Sequence, residues 1–263
     1  MIHQLTLSNG FTLLGEVLPH FRSVSFSFWT GLGSVWDPVG KYGMAAFVCE
    51  MMLRGAGDLS NRQFLEAIDR IGIDRTESLT ASTLEFRASM LAENLEAALD
   101  LYADLLRRPV LPREQMEDGR QVLLQEISFC EDNPEGRLGQ VMSERFFGPA
   151  WGHDEDGNRE GIESISWEEV RAQYDALMMP NQCVLAVAGS FDWEKTRKRS
   201  GVCSGTGSQK RNRNFRRTRR GASRCTLRST RRRRTSSSAG RSRLCWSPTG
   251  GRSGPGSAFW AAA

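Results

Sequence analysis

One short segment holds the residues best suited to metal or acid–base chemistry. It reads Gly43-Met-Ala-Ala-Phe-Val-Cys-Glu-Met-Met-Leu-Arg-Gly55, and its apolar residues recur at the spacing of a helix with one buried stripe. A thiol and a carboxyl stand side by side in it, at Cys49 and Glu50. A thiolate binds soft metals and a carboxylate binds hard ones, but hard cations usually take more than two oxygen ligands.

The frame of this segment resembles the metal-site helix of the M16 peptidases (pitrilysin, insulin-degrading and mitochondrial processing peptidases), whose motif reads Gly-x-Ala-His-Phe-Leu-Glu-His-Met-Leu-x-x-Gly. In that family two histidines one helical turn apart bind Zn²⁺, and the glutamate between them activates water. Ala46 and Glu50 stand at the two histidine positions, and Cys49 stands at the position of the catalytic glutamate. The resemblance therefore implies a zinc helix without its usual ligands. We expect no catalytic residue and no bound cofactor in this chain.

The resemblance also implies a third zinc ligand on a later helix, where Glu126 stands, and a supporting glutamate, where Gly119 stands. If the fold is kept, Glu50 and Glu126 should approach each other across the former metal cavity. Two such carboxylates share a proton, bind a cation or are neutralised by arginine, for which Arg54 and Arg120 are available. We favour neutralisation, which leaves Glu50 and Glu126 as residual candidates for a metal.

The other potential ligands and nucleophiles are scattered. His3, His20 and His153 stand far apart, so we interpret them as ordinary surface or loop histidines. Cys49 has no histidine placed to act as its base, which favours a buried structural cysteine over a nucleophile. The six cysteines include no C-x-x-C pair, which favours reduced thiols in a cytoplasmic protein. No secretory signal and no apolar run long enough to span a membrane is visible.

The charge is distributed very unevenly along the chain. Residues 1–194 hold all 31 Asp and Glu with 15 Lys and Arg, and residues 195–263 hold 20 Lys and Arg with no acid. The net charges are −16 and +20, which together make the overall +4. The second part is rich in Arg, Ser and Gly and is too poor in apolar residues to fold alone. We interpret 195–263 as a disordered tail or a frameshift product rather than an arginine-rich nucleic-acid arm.

The first part has the pattern of an α+β lobe. Asn9-Gly10 between two β runs predicts a hairpin, and Ser60 with Gln63 predicts a helix capping box. Further strands are expected at 23–30, within 74–90 and at 183–189, and further helices at 95–106, 112–133, 136–147 and 167–177. The resemblance implies a mostly antiparallel sheet with helices packed on one face. Residues 1–194 are thus interpreted as an M16 peptidase-like N-terminal domain.

The function expected from the sequence is that of a non-catalytic M16 homologue. The resemblance implies a partner or substrate-holding subunit, because several enzymes of the family divide zinc-bearing and zinc-free lobes between two chains. The expected partners are a zinc-bearing M16 chain, or the second lobe that is missing here, and peptide substrates. Two alternatives remain open: an active zinc-dependent endopeptidase, and a nucleic-acid-binding protein that acts through its basic tail.

Overall fold

A computed structural model describes residues 2–204. Its central feature is a six-stranded sheet whose strands are, in chain order, β1 (Ile2–Thr6), β2 (Thr12–Val17), β3 (Ser23–Thr30), β6 (Asp74–Leu79), β7 (Leu84–Leu91) and β8 (Val184–Gly189). A separate small ribbon is formed by β4 (Gly55–Ala56) and β5 (Leu59–Ser60). In space the large sheet runs β1-β2-β8-β3-β7-β6.

Most neighbours in the sheet are antiparallel. Only β2 and β8 run parallel, and the chain between them contains all the helices of the lobe but the last. Such a long crossover is what a parallel pair requires. The expected mostly antiparallel sheet is therefore confirmed.

The helices are α1 (Met44–Met52), α2 (Asn61–Ile71), α3 (Leu95–Arg107), α4 (Met116–Glu131), α5 (Pro134–Phe147), α6 (Arg159–Ser164), α7 (Trp167–Leu177) and α8 (Trp193–Ser204). The predicted helix elements are all present, with ends shifted by a few residues. Pro134 opens α5 at its first turn, where a proline is tolerated because that position needs no intrahelical N–H bond.

The hairpin between β1 and β2 is confirmed. Gly10 has a φ of +88° at the turn, and the N–H of Phe11 donates to the Asn9 side chain at 3.1 Å. The capping box at the start of α2 is also confirmed, because the N–H of Ser60 donates to Oε1 of Gln63 at 3.0 Å. Both are local signals, and the chain folds locally as they predict.

The core lies between the sheet and the helices. In β3, Val24, Phe26 and Phe28 are buried on the helix side, whereas Ser25 and Ser27 alternate with them on the opposite side. This alternation is expected of a strand with one covered face. It places the helices on one face of the sheet, as predicted.

The last described helix runs across the predicted boundary at residue 194. It contacts α3, and Arg199 forms ion pairs with Glu96 at 2.6 Å and Asp100 at 2.8 Å. The acidic lobe thus binds the first cations of the basic segment. The rest of the predicted tail, residues 205–263, lies outside the described residues. Within the described part of the chain, no helix is long and apolar enough to cross a membrane.

Candidate functional site

The segment singled out in the sequence forms α1 at the centre of the lobe. Seven of its nine residues are buried, including Phe47 at 0% exposure. Gly43 directly precedes the helix. It has a φ of +97°, and an added Cβ would stand 2.8 Å from the backbone oxygen of Asp156. A glycine is therefore required at this point for both its backbone conformation and its size.

A carboxylate from outside the helix caps α1. Asp37 accepts hydrogen bonds from the N–H of Gly43 at 2.7 Å and of Ala45 at 2.9 Å. Its side chain has no exposed surface, and this burial raises the pKa of Asp37, although the two N–H donors and His153 act against the rise. A negative charge at a helix N-terminus is stabilised by the free N–H groups there. This cap was not expected from the sequence, because Asp37 lies seven residues before Met44, the first residue of the helix.

Ala46 and Cys49 leave two of the three motif positions without useful chemistry. Ala46 is 7% exposed and has no donor atom. Burial raises the pKa of the Cys49 thiol well above its usual value, and the carboxylates of Glu77, Glu50 and Glu126 raise it further. Cys49 therefore stays protonated at neutral pH, whereas nucleophilic attack requires the thiolate.

Glu50 forms an ion pair with an arginine that lies just after the end of its helix. Nη2 and Nε of Arg54 donate to Oε1 of Glu50 at 2.7 and 3.0 Å, and the two side chains are only 12% and 21% exposed. Nη1 of Arg54 also donates to Gln115, just before α4, at 3.3 Å. The predicted neutralisation by Arg54 is thus present. The hydrogen bond to Gln115 also joins the end of α1 to the start of α4.

Arg120, the other arginine considered, does not neutralise Glu50 or Glu126. Its Nε donates to Glu117 at 3.0 Å, its Nη atoms donate to the carbonyls of Ile162 and Ile165, and its guanidinium lies over the Phe47 ring at 5.3 Å. Arg120 therefore joins α4 to the end of α6. Arg120 binds these carbonyls because backbone carbonyls at the end of a helix attract a cation.

Helix α4 brings Glu126 and Gly119 to the same region. Glu126 is exposed, and its charge acts on Cys49, as does that of Glu50. Gly119 is buried against α1, where an added Cβ would lie 3.1 Å from Sδ of Met51 and 3.4 Å from Nε of Arg54. The absent side chain allows the two helices to approach closely. The guanidinium of Arg54 lies next to the position that carries the supporting glutamate in the family.

Strand β6 contributes two residues that sequence reasoning missed. Glu77 pairs with Phe86 of β7 in the sheet register, so both side chains lie on the helix side of the sheet. Arg75 lies on the same side and donates to Glu77 at 2.6 Å. Both charges act on Cys49. The alternation of Arg75, Glu77 and Leu79 along a strand was a signal that these side chains share a face.

The donor set at these positions does not fit zinc. A zinc site needs at least three nitrogen, sulfur or oxygen ligands converging on one point. Here Ala46 supplies none, and the carboxylate of Glu50 is bound by Arg54. Among residues 2–199, whose side chains the structure describes, no three His, Cys, Asp or Glu residues stand close enough to hold a metal ion. The expectation of a zinc-free chain stays a prediction.

A second feature lies at the N-terminal end of α1. The His153 side chain is only 10% exposed and packs on Tyr42, with ring centroids 4.7 Å apart. Its Nδ1 lies 3.1 Å from the carbonyl of Pro149, and its Nε2 lies 3.8 Å from Oδ2 of Asp37. His153 thus lies in a loop, one of the two places expected for it, but it is not on the surface, because that loop folds over the end of α1.

Burial opposes protonation of His153, but the neighbouring Asp37 carboxylate and Pro149 carbonyl favour it more strongly, so the pKa of His153 lies above its usual value. The ring also borders a cavity of about 580 Å³ between α4, α5 and this loop. His3, also expected on the surface or in a loop, lies within β1, is partly buried, and stacks on Trp193 of α8 with ring centroids 4.9 Å apart.

Comparison with known proteins agrees with this geometry. The model of the insulinase family (peptidase family M16) matches residues 16–150. The chain is 27% identical over 192 residues to YmxG of Bacillus subtilis (strain 168), described as an uncharacterized zinc protease, and the match covers 73% of this chain and 47% of YmxG. The chain thus spans less than half the length of that relative.

Two solved structures share the fold. The inactive domain of an M16 peptidase from Pseudomonas fluorescens superposes with a TM-score of 0.71 at 16% identity, over 78% of this chain and 50% of that one. A protease from Helicobacter pylori superposes with a TM-score of 0.72 at 17% identity, over 80% of this chain and 52% of that one. Since the family model also matches about half of the chain, this protein belongs to the insulinase family of peptidases, family M16.

Proposed function

We propose that this chain is a non-catalytic M16 lobe that holds peptide and works with a zinc-bearing M16 chain in the cytoplasm. The observation that carries the proposal is the ion pair of Arg54 with Glu50, at the position of a zinc ligand. The helices of the zinc site remain packed together, while the position that would bind metal is filled by an internal salt bridge. Such a lobe keeps the shape of the site and lacks its chemistry.

The peptide-holding role is supported by the position of β6. This strand lies at one edge of the sheet and pairs on one side with β7. No other strand of residues 2–204 pairs with its second side. An edge strand presents backbone N–H and C=O groups to which an extended peptide adds as a further strand. Glu77 and Arg75 on this strand would lie beside the bound peptide, close to Cys49.

The proposal that this chain works with a second chain is supported by the lengths of its relatives. The matches cover 47% of YmxG and about half of each of the two solved chains, so those proteins have a further half that this sequence does not match. A zinc-bearing M16 chain could supply the missing wall of the chamber. The nucleic-acid alternative depends on residues outside the described part of the chain. The endopeptidase alternative needs zinc ligands that α1 does not offer.

The first experiment compares the purified full chain with a variant in which the motif is restored, Ala46→His/Cys49→Glu/Glu50→His. We expect the natural chain to hold no stoichiometric zinc and to cleave no peptide. The restored variant should bind zinc, and adding Glu126→Ala should weaken that binding by about 10-fold or more. One tightly held zinc per natural chain, lost together with peptidase activity in Glu126→Ala, would overturn the proposal and leave the endopeptidase alternative.

The second experiment tests the partnership. The full chain is mixed with a zinc-bearing M16 chain from the native host, and complex formation and peptidase rate are measured. We expect a stable complex and a changed rate. If the two chains neither associate nor affect each other's activity, the subunit role is excluded, whatever the zinc analysis shows.

A further inference from the structure

The segment between α5 and α6 lies across the N-terminal end of α1 in close contact with it. An added Cβ on Gly157 would stand 2.3 Å from the backbone nitrogen of Gly43, and one on Gly152 would stand 2.3 Å from the backbone oxygen of Ser143 in α5. Glycine permits such close approach of two backbones. Segment 149–158, which we call the strap, therefore packs directly on the start of α1 and on α5.

His153 joins the strap to the carboxylate that caps α1. Its side chain is 10% exposed, and its ring packs on that of Tyr42. Nδ1 lies 3.1 Å from the carbonyl oxygen of Pro149, and Nε2 lies 3.8 Å from Oδ2 of Asp37. Nε2 is buried and has no hydrogen bond to a described residue. Both ring nitrogens thus face a carbonyl or a carboxylate, and these groups only accept hydrogen bonds.

These surroundings fit a ring that carries two protons. A neutral imidazole has one N–H group, so one of its nitrogens would turn a lone pair toward the oxygen of Pro149 or of Asp37. An imidazolium has an N–H group on both nitrogens and a positive charge beside the carboxylate. The side chain of Asp37 has no exposed surface, so its charge is balanced from within the protein and not by water. Loss of one proton from His153 therefore removes the attraction between the strap and the cap of α1.

The other charged groups near His153 are mostly negative. The titratable and charged residues that line the same cavity are Cys130 and Glu131 of α4, Glu144 and Arg145 of α5, Asp154 and Asp156 of the strap, and Tyr42. Four of them are carboxylates and one is a guanidinium, and negative charges favour the protonated form of a histidine. Burial lowers the pKa of His153, but the carboxylate of Asp37 and the carbonyl of Pro149 outweigh burial, and the pKa lies above its usual value.

We propose that His153 is a pH-dependent latch, which holds the strap on the cap of α1 while its ring carries two protons and releases the strap when the ring gives one proton to the solvent. The strap supplies six of the residues that line the cavity of about 580 Å³, from Pro149 to Asn158. Release of the strap therefore opens this cavity, and the cavity is more accessible at alkaline than at acidic pH. The latch does not depend on the proposed function, because it uses none of the residues at the zinc-site positions.

Nuclear magnetic resonance of the histidine rings measures the protonation of His153 in the full chain. The chain has three histidines, so spectra of His3→Gln and His20→Gln assign the ¹⁵N signals of His153 by elimination. We expect both ring nitrogens of His153 to be protonated at about pH 6.5, where an unperturbed histidine is about half neutral. His153 should also titrate at a higher pH than the exposed His20. A neutral ring at that pH, or a titration that coincides with that of His20, overturns the proposal.

Hydrogen exchange of backbone amides measures the strap itself, after correction for the intrinsic dependence of exchange on pH, with the amides of β3 as an internal reference. From about pH 6 to about pH 9 the protection of the strap should fall, by about tenfold for each unit by which the pKa of His153 is higher in the held strap than in the released one. His153→Gln should remove this dependence, and the matched control His20→Gln should keep it. Constant protection in the natural chain overturns the proposal, as does an equal fall in His153→Gln. The ring titration uses the natural His153 and stands even if His153→Gln does not fold.

Discussion

Helices α1 and α5 each carry an apolar stripe, but the fold uses the two stripes in opposite ways. Seven of the nine residues of α1 are buried, and none of the fourteen residues of α5 is. Around α1, Gly43 allows the close approach at its start, the carboxylate of Asp37 accepts from its first N–H groups, and Arg54 pairs with the charge of Glu50. Around α5 the apolar face is exposed. The difference shows that the apolar stripe of α1 belongs to the core of this lobe, whereas that of α5 does not.

The largest effect is expected from truncating the same side chain in each helix. Phe47→Ala removes a completely buried ring over which Arg120 lies, and it should lower the free energy of unfolding by about 3–5 kcal/mol. Phe146→Ala removes a ring that is 79% exposed, and it should change the free energy of unfolding by about 0.5 kcal/mol or less.

Denaturant unfolding of the full chain, at concentrations low enough to keep it monomeric, measures both values. Equal losses for the two variants would show that α5 is packed as α1 is, and the contrast between the helices would disappear.

A smaller effect is expected from the ion pair of Glu50 with Arg54, at the end of α1. Glu50→Ala leaves the guanidinium of Arg54 largely buried without its carboxylate, and should cost about 1–3 kcal/mol. The control is Glu66→Ala, which breaks a pair of the same spacing with Arg62 on the surface of α2, where the two side chains are 53% and 89% exposed. That variant should cost about 0.5 kcal/mol or less.

Thermal and denaturant unfolding compare the two variants. If Glu50→Ala were as harmless as Glu66→Ala, the Arg54 pair would not be what holds the former zinc position closed. In that case Glu50 would be free to act as a residual ligand.

The smallest effect is a pH dependence at the N-terminal end of α1. Because the pKa of folded His153 is raised, its protonated form stabilises the fold. This contribution is fully present below the unfolded pKa of about 6.5 and is lost as the pH rises through the higher folded value. The free energy of unfolding should therefore fall as the pH rises from about 6.5.

His153→Gln should flatten this part of the profile, and His20→Gln, at an exposed histidine, should leave it as it is. Urea unfolding at a series of pH values measures the slope. A slope unaffected by His153→Gln would mean that the contact with Asp37 contributes nothing to the cap of α1.

Local signals in the sequence were sufficient for much of the lobe. The Asn9-Gly10 turn, the capping box at Ser60 and the helix that carries Glu126 follow from neighbouring residues alone, and the structure contains them. The motif of α1 also placed Ala46, Cys49 and Glu50 on one helix with Arg54 a turn later. That pair joins residues four apart, which are neighbours on any helix.

The remaining contacts join residues that are distant in sequence, and only the tertiary structure decided them. Asp37 caps a helix that starts seven residues later, and Arg120 donates to the carbonyls of Ile162 and Ile165. The register of the sheet places Glu77 where its charge acts on Cys49. The sequence predicted a helix at 136–147, but periodicity does not tell in which direction an apolar stripe on it points. That direction depends on which neighbours are present to cover it, because burial is a property of the assembled lobe and not of the helix.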